Sequence, residues 1–290
     1  MRPPEYVVVL SDVDPVAQAV SEDLGTGSAT GDSVDGAPLR QLSDRVVTLH
    51  RSVAHIHDER LDLRLPQPWR ESPPTLVFPS VHRSESGHDA LTVHPLGNPG
   101  PTAEVGGQPG VLDPTDPLRM TDALRRLSEG AGAVGWPVCF EATHHGPELE
   151  FPAFFVEVGG QDPDHPPAAA TRLIAAVVRE LIPDTTDRVV LGVGGGHYAP
   201  HFTDLALRRS LAFGHILPRH VLDGLLPATA GRAWRGTPGA QGAVYARAAD
   251  SERAVAREWG ARFREADAPR REGRTIPTSP RSGDDRSAGT

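Results

Sequence analysis

The run WPVCFEATHH at 136–145, with FPAFFVEVGG close behind it at 151–160, constrains the fold more than any other part of the chain. Both stretches are nearly continuous in large apolar side chains. A strand with one wet face alternates apolar and polar residues, whereas a strand of this kind needs cover on both sides. The remaining chain supplies such cover by alternating strand-like and helix-like runs. YVVVL (6–10), RVVTLH (45–50), TLVFPS (75–80), LTVHP (91–95), RVVLGV (188–193) and GAVYARA (242–248) read as strands. Asp14-Pro15 and Asp116-Pro117 read as helix starts, the first helix closing at Gly25 and the second near Glu129. Further helical runs are expected at 168–182, 203–213, 219–226 and 250–267. The polar stretch 26–44 reads as a loop or insertion, and the Gly/Pro-rich stretch 97–117 as a long loop of the kind that carries function. The alternation predicts an α/β fold with a largely buried sheet. One domain over 1–267 is expected, with room for a smaller N-terminal subdomain over 1–70. Residues 268–290 are Pro, Ser, Gly and charge, with Ile276 the one large apolar side chain, and are expected to be disordered and dispensable.

Charge and cysteine content narrow the function classes. All 29 basic residues are arginine, against 38 acidic ones, giving a net charge of −9. A bulk electrostatic footprint for nucleic acid is therefore missing, and an RNA partner would need arginines gathered beside a site. Arg208, Arg209 and Arg219 are candidates for that cluster; Arg232 and Arg235 around Trp234 read as solvated surface. Cys139 is the single cysteine, which excludes an intrachain disulfide and a thiolate metal site. The opening MRPPEYVVVLSDVD has too short an apolar run for a signal peptide, and no stretch reaches membrane-spanning length. A cytoplasmic monomer without membrane contact is expected.

Histidine placement carries the chemistry. All 13 histidines lie between His50 and His220, and several fall at predicted strand ends: His82, His94, the pair His144-His145, and His197. In α/β sheets, strand ends are where sites assemble. Adjacent histidines on a regular strand point to opposite faces, so His144 and His145 reach one site only where the chain turns. Imidazoles with a carboxylate form the donor set of a zinc site that keeps one position open. Glu141, Glu148 and Asp89 are the carboxylates nearby. A second motif, LGVGGGHYAP at 191–200, follows a strand but lacks the glycine spacing and immediate helix of a dinucleotide fingerprint. Three glycines before a histidine instead suit close backbone approach to a ligand, with the amides of Gly194, Gly195 and Gly196 holding an anion. The lack of a G-x-S-x-G elbow leaves Ser-His-Asp chemistry unsupported.

EATHHGP, GGGHYAP and LAFGHILP (211–218), in this order and spacing, resemble the D-aminoacyl-tRNA deacylase family of archaea and plants. SVHRSESG (80–87), ALTVHPLGN (90–98) and PAFFVEVG add to the likeness, which runs from about Tyr6 to Trp259. The resemblance implies a three-layer, mixed sheet with helices on both faces, of the phosphorylase/hydrolase-like kind. It further implies a zinc-dependent hydrolase that cleaves the ester between a D-amino acid and tRNA. On that reading Glu141, His144, His145 and His197 are catalytic, and zinc falls to a subset of His94, His144, His145 and His197. Gly194–Gly196, Tyr198 and His82 would contact substrate. Two stretches depart from the family pattern: His201 follows HYAP where a basic residue is usual, and Val81-His82-Arg83 breaks a serine-rich string. Two other classes fit the same residues. One is a zinc-dependent amidase or peptidase for a small substrate; the other is a non-catalytic nucleotide-binding module.

Overall fold

The computed structural model describes residues 2–83, 87–247 and 255. The expected tail, and the expected helix 250–267 apart from Val255, lie outside the described residues. The described chain begins with β1 (Tyr6–Ser11), α1 (Pro15–Leu24), β2 (Ser28–Val34), β3 (Ala37–Gln41) and β4 (Val46–Arg51). Three 3₁₀ turns follow (His55–His57, Leu61–Arg64, Gln67–Glu71), then β5 (Thr75–His82) and β6 (Ala90–Pro95). Next come α2 (Pro117–Gly130), β7 (Val138–Phe140), β8 (Ala153–Gly159), α3 (Ala168–Arg179) and β9 (Arg188–Val193). The last elements are α4 (Pro200–Arg208), β10 (Leu211–Leu217), α5 (Arg219–Leu222), α6 (Pro227–Arg235) and β11 (Ala243–Tyr245).

An eight-stranded mixed sheet, ordered β2-β3-β4-β1-β5-β8-β6-β7, forms the body, and β10-β9-β11 form a smaller parallel sheet. β4, β1, β5 and β8 are parallel, while β6 runs antiparallel to β8 and parallel to β7. Strand alternation sorts the core. Tyr6, Val8, Val77, Phe154 and Val156 face α1, α2 and α3. Val7, Val9, Phe78 and Phe155 face the other way, against Leu61, Leu65 and Trp69 of the 3₁₀ turns. One face thus carries long helices and the other short ones. The helix starts behave as their sequence dictates. The Asp14 carboxylate accepts from the amides of Val16 and Ala17 at 2.8 and 2.9 Å, and Asp116 accepts from Arg119 N at 3.1 Å.

Two expectations are corrected. Residues 26–44 are a β-hairpin, not a loop. Its turn is Asp35-Gly36 with φ of 50° and 85°, the positive pair that two-residue hairpin turns require. Its strands lie at the sheet edge with only Val34 and Leu39 buried, so the period-two signal is absent. The helix expected over 203–213 ends at Arg208, and LAFGHIL is the fully buried strand β10. A short apolar run does not distinguish buried strand from buried helix. Gly214 is the local reason for a close fit there, since a Cβ would stand 2.3 Å from Thr237 Cγ2.

The two sheets are joined at the end of β7. Ala142 N donates to His197 O (2.8 Å), Ala199 N to Phe140 O (2.9 Å) and Thr143 N to Ile216 O (2.8 Å). Buried His215 completes the seam. Its Nε2 donates to Asp113 O at 2.9 Å, its Nδ1 lies 3.1 Å from Thr143 Oγ1, and that oxygen accepts from Ile216 N at 3.0 Å. Burial pushes His215 down to about 4, so it is neutral and structural.

Candidate active site

The His144-His145 pair sits where β7 ends and the chain turns. His145 adopts φ of 42°, in the left-handed region that side chains avoid unless the surroundings hold them there. The turn cancels the strand's alternation: both imidazoles face the same side, with ring centroids 4.4 Å apart. His94, near the end of β6, joins them at 4.1 Å from His144 and 4.9 Å from His145. All three are oriented by backbone carbonyls. His144 Nδ1 donates to Ala142 O (2.8 Å), His145 Nδ1 to Gly146 O (2.7 Å) and His94 Nδ1 to Pro95 O (3.2 Å). A carbonyl only accepts, so the proton sits on Nδ1 and Nε2 is turned toward the site, the arrangement that orients metal-ligating histidines.

Glu141 lies at the centre. Its side chain is wholly buried, and among the described residues neither carboxylate oxygen has a hydrogen-bond partner. Oε2 stands 3.5 Å from His82 Nδ1, 3.5 Å from His144 Nε2 and 3.3 Å from His197 Nε2. A second buried carboxylate, Glu157, accepts from His82 Nδ1 at 3.1 Å and lies 3.5 Å from His94 Nε2. Sheet register explains the meeting: Ser80 and Thr92 both pair with Glu157, so β5, β8 and β6 present His82, Glu157 and His94 on one face.

The charges follow from this packing. Burial alone would lower His82, but the Glu157 hydrogen bond and the charges of Glu141 and Glu157 outweigh it and hold it at about 9. Burial likewise works against a charged His94, and the Glu157 charge wins there too, moving it upward. His144 falls well below the usual histidine range through burial and the neighbouring His94, His145 and His197. Burial, with the His94 charge, takes His145 down to about 4. Burial opposes ionisation of Glu157, yet the His94 charge and the His82 hydrogen bond keep it well below the carboxylate range.

His82, Glu141, His144 and His197 each offer a donor atom within 4.8 Å of the others, and so do His94, His144 and His145. This is an imidazole–carboxylate set, with Nε2 of His82, Nε2 of His94 and both oxygens of Glu141 buried and unpartnered. Such orphaned donors are the residue pattern a zinc ion satisfies. Beside them opens a cavity of about 650 Å³. His82, His144, His145, His197 and Glu157 line it, together with Asp14, His55, Thr102, Glu104 and Val105.

The sequence-derived candidates divide clearly. His82, His94, Glu141, His144, His145 and His197 gather in one cluster. His144 and His197 do not follow neighbouring strands of one sheet. β7 and β9 belong to different sheets, joined by the antiparallel bridge between Glu141 and Tyr198. Gly194 does not offer a free amide, because its N–H donates to Leu217 O at 2.8 Å. Gly194 and Gly195 have φ of 93° and 82°, so a turn accounts for two of the three glycines, and Gly196 is exposed. The Tyr198 ring lies 5.3 Å from His197 and 6.0 Å from His82, with its hydroxyl buried and unpartnered. Glu148 is drawn away into an ion pair with Arg60, Arg208 is paired with Asp204, and Asp89 lies by Trp136. Glu157 and His55 are not among the candidates the sequence offers. A glutamate inside the apolar run FFVEV was the available signal, since a buried strand tolerates a charge only where something pairs with it.

The class of protein is therefore a mixed α/β fold bearing a histidine–carboxylate cluster beside a cleft. A family model described as D-aminoacyl-tRNA deacylase matches residues 69–260. A Pyrococcus abyssi protein named D-aminoacyl-tRNA deacylase is 38% identical over 190 residues, 64% of this chain and 69% of that one. Its namesake from Pyrococcus furiosus is 33% identical over 219 residues, 74% of this chain and 80% of that one. The chain belongs to the D-aminoacyl-tRNA deacylase family, and so to the hydrolases. The crystal structure of a conserved protein of unknown function superposes with a TM-score of 0.77 at 24% identity, covering 89% of this chain and 92% of its own, which fixes the fold. Among the described residues, no helix is long and apolar enough to cross a membrane.

Proposed function

We propose that this protein hydrolyses the ester between a D-amino acid and the 3′ end of tRNA, with zinc as its cofactor. The carrying observation is Glu141, a buried carboxylate with no hydrogen bond and three imidazoles within 3.5 Å. The imidazoles of His82, His144 and His197 would hold the ion, with His94 and His145 behind them. When bound, zinc supplies Lewis acidity and a water more acidic than bulk.

The chain's own groups do the rest. Water adds to the ester carbonyl, the ester C–O bond breaks, and the D-amino acid leaves tRNA with a free hydroxyl. Glu141 takes the proton of the attacking water, its oxygens being engaged by no donor. Glu141 then returns that proton to the departing hydroxyl oxygen, while His197, 40% exposed at the cavity edge, would stay with the ion. The remaining lining residues would contact the amino acid, and the cavity is large enough for an aminoacyl-adenosine.

The direct test is release of D-tyrosine from D-tyrosyl-tRNA, with L-tyrosyl-tRNA alongside and metal content measured on the same preparation. Rapid D-release, slow L-release and loss of activity on chelation are expected. Equal rates on both forms would sink the stereochemical claim. Activity only on small D-amino-acid esters or peptides would favour an amidase, and a metal-free inactive protein a binding module.

His144 and His197 are expected to act as one unit although they come from different sheets. His144→Ala and His197→Ala should each remove most of the deacylation rate while leaving the fold intact. The double variant should be hardly slower than either single. Fully additive losses would assign them separate roles.

A further inference from the structure

A second, smaller pocket begins where the active-site face of β8 ends. Gly159 is the register partner of His82, and a Cβ there would stand 3.5 Å from His82 Cδ2. From Gly159 onward opens a cavity of about 290 Å³, lined by Asp89, Trp136, Gly160, Gln161 and Asp162 among others. Trp136 is half-buried, one side against the core beneath α2 and α3 and the other bordering this pocket. Gly160 keeps the ring accessible: a Cβ at that position would lie 3.4 Å from Trp136 Cη2 and 3.2 Å from Asp89 Oδ1. An indole ring and an acceptor carboxylate therefore border one small space. Glu157, inside the catalytic cluster, is three residues back along the chain, roughly 10 Å at strand rise, and on the opposite face from Val158 and Trp136, so a strand joining the two sites passes round the end of β8 at Gly159.

We infer that this pocket takes an unpaired nucleobase of the strand that leads into the active site, stacked on Trp136 with its exocyclic amine donating to Asp89. This rests on the tRNA-ester reading of the neighbouring cavity. An aromatic platform holds any base by its face. A carboxylate acceptor beside the platform selects a base that carries an amino group, as cytosine does through N4. The nucleotide preceding the aminoacylated one meets both demands, since the single-stranded 3′ end of tRNA reads CCA. Among the described residues the pocket carries no arginine, so these contribute base contact rather than phosphate attraction.

The test compares D-tyrosyl-tRNA with D-tyrosyl-adenosine, which lacks the preceding nucleotide. The advantage of the full substrate in kcat/KM should shrink about tenfold in Trp136→Ala and return largely in Trp136→Phe. Asp89→Ala should weaken the preference for CCA over CUA ends. Independently, cytidylyl-adenosine should quench tryptophan fluorescence saturably, and the quench should vanish in Trp136→Phe. An unchanged substrate ratio in Trp136→Ala, or an undiminished quench in Trp136→Phe, overturns the assignment. If the unaltered enzyme cleaves neither ester, the deacylase reading fails instead, and the fluorescence titration still decides the pocket.

Discussion

Replacing Glu141 by Gln is expected to lower deacylation about a thousandfold without lowering the melting temperature. The two halves of that expectation have one cause. Glu141 is completely buried, and neither oxygen accepts a hydrogen bond. A carboxylate in that position loses hydration and recovers it only through nearby charge, so folding alone gives little reason to keep it. Glutamine has the same shape and removes the buried charge, while His82 keeps its hydrogen bond to Glu157. What glutamine cannot do is take a proton from water. The measurement is single-turnover release from D-tyrosyl-tRNA, with calorimetry and zinc analysis on the same sample. Zinc content should stay near that of the parent, since three imidazoles surround the position. A rate within tenfold of the parent would remove Glu141 from the chemistry, and loss of zinc with the activity would make it a ligand instead.

Glu141 also illustrates what the sequence disclosed. It stands one residue past β7, in a string whose paired histidines demand a turn, so the cluster's core is legible in EATHHGP itself. The buried strands β5 and β8 were equally legible, because full burial leaves an uninterrupted apolar run. The edge hairpin was hidden for the opposite reason: two strands wet on most faces carry no apolar period, and only the Asp35-Gly36 turn betrays them. His197's route to the cluster was also illegible. It depends on a bridge between two sheets, and such pairing is a property of tertiary register rather than of either strand's composition. The glycines of GGGHYAP misled in a related way. Positive φ at Gly194 and Gly195 uses them for the turn that carries His197 to Glu141, so their contribution to the site is geometric.

Asp113 provides the largest expected effect on stability. It is 2% exposed, its Oδ2 accepts from Leu149 N at 2.9 Å, and its carbonyl accepts from His215. Burial pushes its carboxyl up to about 8, against the Leu149 hydrogen bond and helped by the charges of Glu148, Asp62 and Glu59. The ordinary value, 3.8, describes the unfolded chain. Between those two values the unfolded state ionises while the folded state holds its proton, so the unfolded state binds fewer protons. Stability from this group is therefore complete below about pH 4 and drains away as pH rises toward 8, by roughly 1.4 kcal/mol per unit. Over the whole window the loss is on the order of 5 kcal/mol. Asparagine does not titrate and keeps an acceptor for the Leu149 amide. Asp113→Asn should thus match the parent near pH 4 and exceed it increasingly up to pH 8, where the melting temperature should be higher by on the order of 10 °C. Denaturant titrations of both proteins at one-unit pH steps check this. Two stability curves that run parallel from pH 4 to 8 would show that Asp113 ionises inside the fold, with the pair of sheets opening enough at His215 to admit water.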